Sequence, residues 1–361
     1  MSHIVVELTN RCNLSCHHCF TGRHGGHDDL PMEAFDQILL EAKACGFDQL
    51  SFTGGDPTLH RQFFEIIQRT FDAGYRFGFV TNGWNFAELF PRLASYRPAL
   101  AAVTFSLDGA TELTHDAMRG KGSFRRVMKA LSVCTVSQMP FTLNMVVTKG
   151  NRHELEEMVD LATKLGSQAL RFAHLMPSQL SHTLDLDLSP ADRKAVEGEI
   201  RGMQPACPIP LVLAPGYHSD SLFPCAPLEE REMNVDHRGN VTLCCQLSSH
   251  GDGAGHADVA ANLAKVSFGE AVRRLKLIRQ TFRERKQAYL TAGALRDTDL
   301  FACWYCGIYF DKHEWLQETP DHPWSEAVWR PNPDRRSGTA GLVSIELPPR
   351  GQEDNSVHTR N

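Results

Sequence analysis

Two hydrophobic periods alternate along most of the chain. Runs rich in β-branched and aromatic residues at 4–8, 49–53, 76–81, 101–107, 141–147 and 169–175 predict six strands. The stretches between them place apolar residues at helical spacing instead. Phe35, Ile38, Leu39, Ala42 and Cys45 share one predicted helical face, as do Phe63, Phe64, Ile67 and Phe71 in the next helix. A helix at 86–95, the Val127, Leu131, Cys134 stripe, and Leu155, Met158, Val159, Ala162 within 152–165 continue the pattern. Pro31 falls at a helix start and Gly46 at a helix end. Strand and helix alternating six times predict an α/β fold, because right-handed crossovers wind such units into a parallel sheet. Six units rather than eight leave the ring open, and a helix at 189–204 closes this part.

Past residue 204 the periodicity changes. Residues 205–224 are proline-rich and read as a linker, and 225–320 as a smaller second domain. That region contains a hairpin pattern, 233–235 and 241–243 around Asp236-His237-Arg238-Gly239-Asn240, and a helix at 267–282. Residues 321–361 have the composition of a flexible tail.

The formal charge of −6 is modest, and the absence of a Lys/Arg stripe argues against a nucleic-acid partner. No apolar run is long enough for a bilayer span and no signal-peptide pattern opens the chain, so a soluble cytoplasmic protein is expected. Eleven cysteines in such a protein point to metal chemistry rather than disulfides. Cys45 and Cys134 lie on apolar helix faces and read as core.

The chemistry concentrates in Cys12-Asn13-Leu14-Ser15-Cys16-His17-His18-Cys19, directly behind the first strand. Three thiolates on one short loop suit an iron-sulfur cluster or zinc. Zinc would take a fourth ligand from His17, His18, His24 or His27. A cubane cluster would keep one iron free of protein ligands, open to a substrate or cofactor.

This loop resembles the cluster-binding loop of the radical S-adenosylmethionine (radical SAM) superfamily. The resemblance implies a partial (β/α)6 barrel, with Cys12, Cys16 and Cys19 holding a [4Fe-4S] cluster whose open iron is chelated by S-adenosylmethionine. It implies reductive cleavage to a 5′-deoxyadenosyl radical that abstracts a substrate hydrogen atom, with an external one-electron donor such as flavodoxin or ferredoxin. His18 fills the position where the family packs a ring near the adenine. Thr53-Gly54-Gly55-Asp56-Pro57 is similar to the family's Gly-Gly-Glu-Pro segment, which holds the methionine amino group, with Asp56 one methylene shorter. The strand ends bearing Asn82, and Ser106 and Asp108 of Ser106-Leu107-Asp108-Gly109, resemble segments beside the cofactor. Arg119 stands in a segment found in members with an added cluster domain, within reach of the cofactor carboxylate, and Asn144 is expected to turn inward. Of Arg171 and His174, spaced to face opposite ways, one is expected to enter the barrel. No side chain is singled out as catalytic.

The remaining cysteines fall at Cys225, Cys244-Cys245 and Cys303-Trp304-Tyr305-Cys306. Four thiolates in two pairs satisfy either a structural zinc or a fully ligated cluster. Their pattern resembles the twitch domain, the shortened relative of the SPASM domain. That implies an auxiliary [4Fe-4S] cluster held by Cys225, Cys244, Cys303 and Cys306, with Cys245 as substitute ligand or buried thiol. The resemblance implies an oxidised or otherwise modified substrate. With the first strand close to Met1, no room is left for an N-terminal peptide-recognition domain, so a small metabolite is the expected substrate. A peptide matured by cross-linking or oxidation is the alternative, and a zinc-stabilised binding or regulatory protein the rival of another class.

Overall fold

Strand β1 (His3–Thr9) lies inside a ten-stranded sheet in the computed structural model, which describes residues 2–19, 26–248 and 257–328. On one side the sheet runs through β2 (Gln49–Gly54), β3 (Arg76–Thr81), β4 (Leu100–Ser106), β5 (Phe141–Val147), β6 (Leu170–His174) and β7 (Leu211–Leu213), every pairing parallel. On the other side β1 pairs in parallel with β8 (Glu232–Val235), which turns back into antiparallel β9 (Asn240–Thr242) and β10 (Val259–Asn262).

Parallel neighbours need crossovers, and helices supply them. They are α1 (Met32–Glu41), α2 (Phe63–Asp72), α3 (Phe86–Leu93), α4 (Glu112–Arg119), α5 (Ser123–Ser137), α6 (Leu155–Leu165), α7 (Gln179–Thr183) and α8 (Pro190–Met203). The six expected units form a partial α/β barrel. Strand β7 adds a seventh parallel rung inside the stretch 205–224 that reads as a linker.

The region 225–320 is built onto the same sheet through the β1–β8 pairing, so the described residues belong to one compact unit. It adds α9 (Cys245–Ser248), α10 (Phe268–Thr291) and α11 (Ala302–Tyr309), and α12 (Ser325–Val328) follows. Helix α10 runs well past the expected 267–282, and the Cys303–Cys306 pair sits on helix α11 rather than in a turn. His24 and residues beyond 328 lie outside the described residues, whereas 321–328, expected as part of the tail, carry α12 and pack Trp324 against Phe301 and Trp304. No helix among those described is long and apolar enough to cross a membrane.

The core lies where helices cover one face of the sheet. Phe52, Phe77, Phe79, Phe105 and Phe141 alternate inward along their strands and meet Phe35, Phe63 and Phe86 from the helices. On α2 the buried stripe is Phe63, Ile66, Ile67 and Thr70, and Phe71 is 36% exposed against Tyr96. At 100° per residue Phe71 falls off the stripe that the expected Phe63, Phe64, Ile67, Phe71 grouping assigned to it. The opposite sheet face is polar and open. Ser106, Asn144 and Arg171 stand in register across β4, β5 and β6 there, above a Thr104–Thr142 hydroxyl bond of 2.9 Å. Arg171, exposed, therefore takes the barrel side, whereas His174 is buried on the helix side.

Phe79 packs edge-on against Phe63 at 5.6 Å and beside Phe86 at 6.5 Å, and is 1% exposed. Phe79→Ala is expected to lower the unfolding free energy of the metal-free protein by about 3–5 kcal/mol, read from urea denaturation midpoints.

Candidate functional site

The cysteine loop leaves β1 and is pinned at its root by backbone. Asn10 N–H donates to the Asp28 carbonyl at 3.1 Å, and Leu30 N–H to Leu8 at 2.8 Å. The Thr9 hydroxyl and Arg11 Nε both bond Asp29 Oδ1, at 2.6 and 2.9 Å. From the other side comes the end of β2: Gly55 N–H donates to Thr9 O at 2.8 Å and Asp56 N–H to Arg11 O at 2.7 Å. A Cβ on Gly54 would stand 2.1 Å from Thr9 O, and one on Gly55 2.0 Å from Arg11 O. Both glycines are thus demanded by backbone contact with the cysteine loop, and the Gly55 amide is consumed in it.

Asp56 departs from its expected role. Its Oδ1 accepts from Thr58 N–H at 3.1 Å and the Thr58 hydroxyl at 2.5 Å. Its Oδ2 accepts from the Thr81 hydroxyl at 2.8 Å and Asn82 N–H at 2.9 Å. A carboxylate has about four acceptor sites, and all are taken within the chain. The side chain expected to receive a ligand's ammonium instead locks the β2 end to the β3 end. Thr81 and Thr58 went unread as partners, although Thr81 opens the Thr-Asn-Gly strand tip.

Around the thiols the donors are few and specific. Asn82 Nδ2 bonds Asn13 Oδ1 at 2.8 Å and lies 4.0 Å from Cys12 Sγ. Arg119 Nη1 lies 3.8 Å from Cys16 Sγ. Burial, aided by Asp56 and the neighbouring thiols, pushes Cys12 up to about 12. Burial raises Cys16 as well, against the pull of Arg119. Free thiols here hold their protons, so binding a metal centre must expel them.

Beneath Cys16 lies a closed charge network. Asp108, fully buried, bonds His18 Nε2 at 2.6 Å, pairs with Arg119 Nε and accepts from Val146 N–H at 2.8 Å. Burial would raise Asp108, but Arg119 and His18 hold it far below the carboxylate range; Arg119, which burial would lower, is driven up by Asp108 and Cys16. Arg119 thus bonds Asp108 through Nε and approaches Cys16 through Nη1, and one edge of the His18 ring is occupied. His115 completes the network, its Nδ1 accepting from Asp108 N–H at 3.1 Å.

Tetrahedral zinc with Zn–S near 2.3 Å needs sulfurs about 3.8 Å apart. Among the described residues, Cys12, Cys16 and Cys19 with the nearby histidines do not form a group closing within 4.8 Å. The sets that do are Glu232, Cys244, Cys245 and His182, Asp187, His322.

The second thiol group also assembles. Cys225 precedes β8, Cys244 and Cys245 follow β9, and α11 brings Cys303 and Cys306. Burial pushes Cys225 up to about 11 and Cys303 up to about 12, and Cys306 feels both as neighbours. The Cys245 thiol hydrogen-bonds Cys244, pulling its pKa down, while burial and nearby charges raise it on balance. Strand β1 braces this corner: Glu7 Oε1 accepts from Asn234 Nδ2 at 3.1 Å and Ser248 Oγ at 2.5 Å, the latter at the end of α9.

Residues 6–162 match the radical SAM superfamily. That stretch is a radical SAM domain. The chain is 31% identical over 198 residues to the AdoMet-dependent heme synthase of Methanosarcina barkeri, covering 54% of this chain and 56% of the relative. It is 28% identical over 260 residues to the PqqA peptide cyclase of Methylorubrum populi, covering 67% and 65%. It thus spans between about half and two thirds of the length of these curated relatives. Its fold is like that of Streptococcus suis SuiB bound to precursor peptide SuiA, with TM-score 0.56, 15% identity, and 67% of this chain and 59% of that one covered.

Within the radical SAM region the strand ends bring Gly54, Gly55, Asp56, Asn82, Asp108 and Arg119 together around the Cys12–Cys19 loop. Ser106, buried, and Asn144 pair in register on the sheet face opposite the helices.

Two outcomes follow for this site. Gly55→Ala, whose methyl must displace the Arg11 carbonyl, is expected to destabilise by about 1–3 kcal/mol and to lower iron binding, measured as iron per chain. Burial and then Arg119 push His115 down to about 4, against an unfolded value of about 6.5. The unfolded chain therefore takes up this proton first, so the stability contribution is full above about pH 6.5 and fades as pH falls toward 4. Unfolding free energy measured against pH on the metal-free protein should lose this one-proton slope between those limits in His115→Gln.

Proposed function

We propose that this chain is a radical SAM enzyme that modifies a peptide, with an auxiliary cluster assisting. The observation that carries the reading is the single loop presenting Cys12, Cys16 and Cys19 behind β1, backed by Arg119 and Asn82. When bound, a [4Fe-4S] cluster with S-adenosylmethionine supplies one-electron cleavage of the sulfonium and a 5′-deoxyadenosyl radical that takes a hydrogen atom from the substrate.

The chain's own residues do the rest. Cys12, Cys16 and Cys19 hold the cluster, and the Gly54–Asp56 turn fixes their loop. Arg119, anchored by Asp108, lends a charge-assisted bond to Cys16. His18, steadied by Asp108, lines the adenine side. The polar row Ser106, Asn144 and Arg171 faces the substrate. Cys225, Cys244, Cys303 and Cys306 hold the auxiliary [4Fe-4S] cluster, with Cys245 donating to Cys244 rather than replacing it. On this reading 1–204 is the catalytic part, 225–320 the auxiliary-cluster part, and a flavodoxin or ferredoxin the electron donor.

The peptide substrate rests on likeness to a peptide cyclase and to the SuiB fold, and it displaces the small metabolite expected from sequence. The distance of β1 from Met1 says nothing about what recognises the substrate. A small non-peptide substrate is the second reading, favoured by the heme synthase likeness.

Anaerobic reconstitution is expected to give about eight irons per chain, with matching sulfide, for two cubanes. With dithionite and S-adenosylmethionine the protein should release 5′-deoxyadenosine, and Cys16→Ala should abolish it. Continued release from Cys16→Ala overturns the ligand assignment, and zinc as the only bound metal overturns the reading. Peptides encoded by neighbouring genes, incubated with the enzyme, should change mass.

A further inference from the structure

Every described arginine but one has a partner within the chain. Arg11, Arg69, Arg119, Arg152 and Arg274 each pair with a carboxylate. Others lie over rings, as Arg92 does on Phe64 and Arg285 on Tyr309, or donate to carbonyls, as buried Arg193 does to Leu175 at 3.0 Å. Arg171 is the exception. Among the described residues its guanidinium has no hydrogen bond, no carboxylate within 4.0 Å and no ring contact.

An arginine on an outer surface needs no partner, but Arg171 stands elsewhere. Strand β6 is interior to the sheet, with β5 paired on one side and β7 on the other. Leu170, Phe172 and His174 are buried on the helix-covered face, so strand alternation projects Arg171 from the opposite, barrel face. There it is in register with Asn144 and Val212, and Asn144 in turn with Ser106. Two strand spacings, about 10 Å, separate Arg171 from Ser106. Two residues past Ser106 comes Asp108, which bonds His18 and Arg119 beside Cys16. The rest of the row is neutral, as are Thr104 and Thr142 beneath it. The Glu7 carboxylate, five strands away on β1, already accepts from Asn234 and Ser248.

We propose that Arg171 anchors the substrate by one carboxylate, on the barrel face beside Asn144 and Ser106. The proposal rests on the peptide-modifying reading and deepens it: where the peptide docks, it carries an acidic side chain or its free C-terminus. A guanidinium presents parallel N–H donors that match the two oxygens of a carboxylate, so the pair fixes direction as well as strength. Hydrogen-atom abstraction depends on that placement, because only a group held in line reacts efficiently. No ion pair inside the chain has to break when the substrate arrives.

The test uses the full-length, reconstituted protein with S-adenosylmethionine. Peptides encoded by neighbouring genes are synthesised unaltered, with each Asp or Glu changed singly to its amide, and with an amidated C-terminus. Dissociation constants are read by fluorescence anisotropy. Amidation at one position should weaken binding to the parent protein by about tenfold or more, and that position tells a side chain from a C-terminus. Arg171→Met should bind the unaltered peptide about as weakly as the parent binds that amide, with little further loss on amidation, and Arg171→Lys should fall between. Equal amidation penalties in the parent and Arg171→Met overturn the proposal, as does binding indifferent to every carboxylate. Phenylglyoxal, which modifies free guanidinium groups, gives a readout that needs no variant. Mass spectrometry should find Arg171 labelled, and shielded by the unaltered peptide but not by its amide. If no peptide binds or changes mass, the peptide reading fails by itself. Shielding of Arg171 by succinate alone then upholds the carboxylate site, and its absence overturns that site too.

Discussion

The site depends on a contact made without side chains. Where β1 and β2 end, the Gly54–Asp56 backbone lies against Thr9 to Arg11 so closely that neither glycine can carry a Cβ. That contact fixes where the cysteine loop starts, and Asp56 then locks the same turn to the β3 end through Thr81 and Asn82. Three strand ends become one rigid rim. The thiols are placed by this rim rather than by packing within their own loop, which is polar and short of apolar anchors.

Charge is handled by the same economy of partners. Asp108 has no exposure and neutralises Arg119, which in turn reaches Cys16, so the carboxylate and the thiol share one guanidinium. His18 and His115 bond to Asp108 from two other directions. A lone buried charge at this depth would be untenable, and Asp108 and Arg119 each hold the other ionised.

Much of this was readable from residues alone. The alternation of strand and helix periods located six parallel strands and the helices between them, because strands covered on one face keep apolar residues at every second position and helices buried on one face keep a 3.6-residue stripe. Cysteine spacing marked both thiol groups, and small polar residues at strand ends marked the rim. Roles within the rim were not readable. Whether Asp56 meets a ligand or Thr58, Thr81 and Asn82 depends on distances between segments far apart in sequence, as does the diversion of Arg119 to Asp108. The union of 225–320 with the barrel sheet was hidden for a like reason: β8 is only four residues long, and its partner β1 lies more than two hundred residues earlier.

Strand β1 thereby acquires a double duty. Its carboxyl end launches the first cysteine loop, while Glu7, two residues before that end, grips Asn234 of β8 and Ser248 of α9, the helix that begins at Cys245. One short extended segment thus touches both the first cysteine loop and the β8–α9 side of the second thiol group. A change at Glu7 would therefore reach the segment around Cys244 and Cys245 as well as the strand that launches the first cysteine loop.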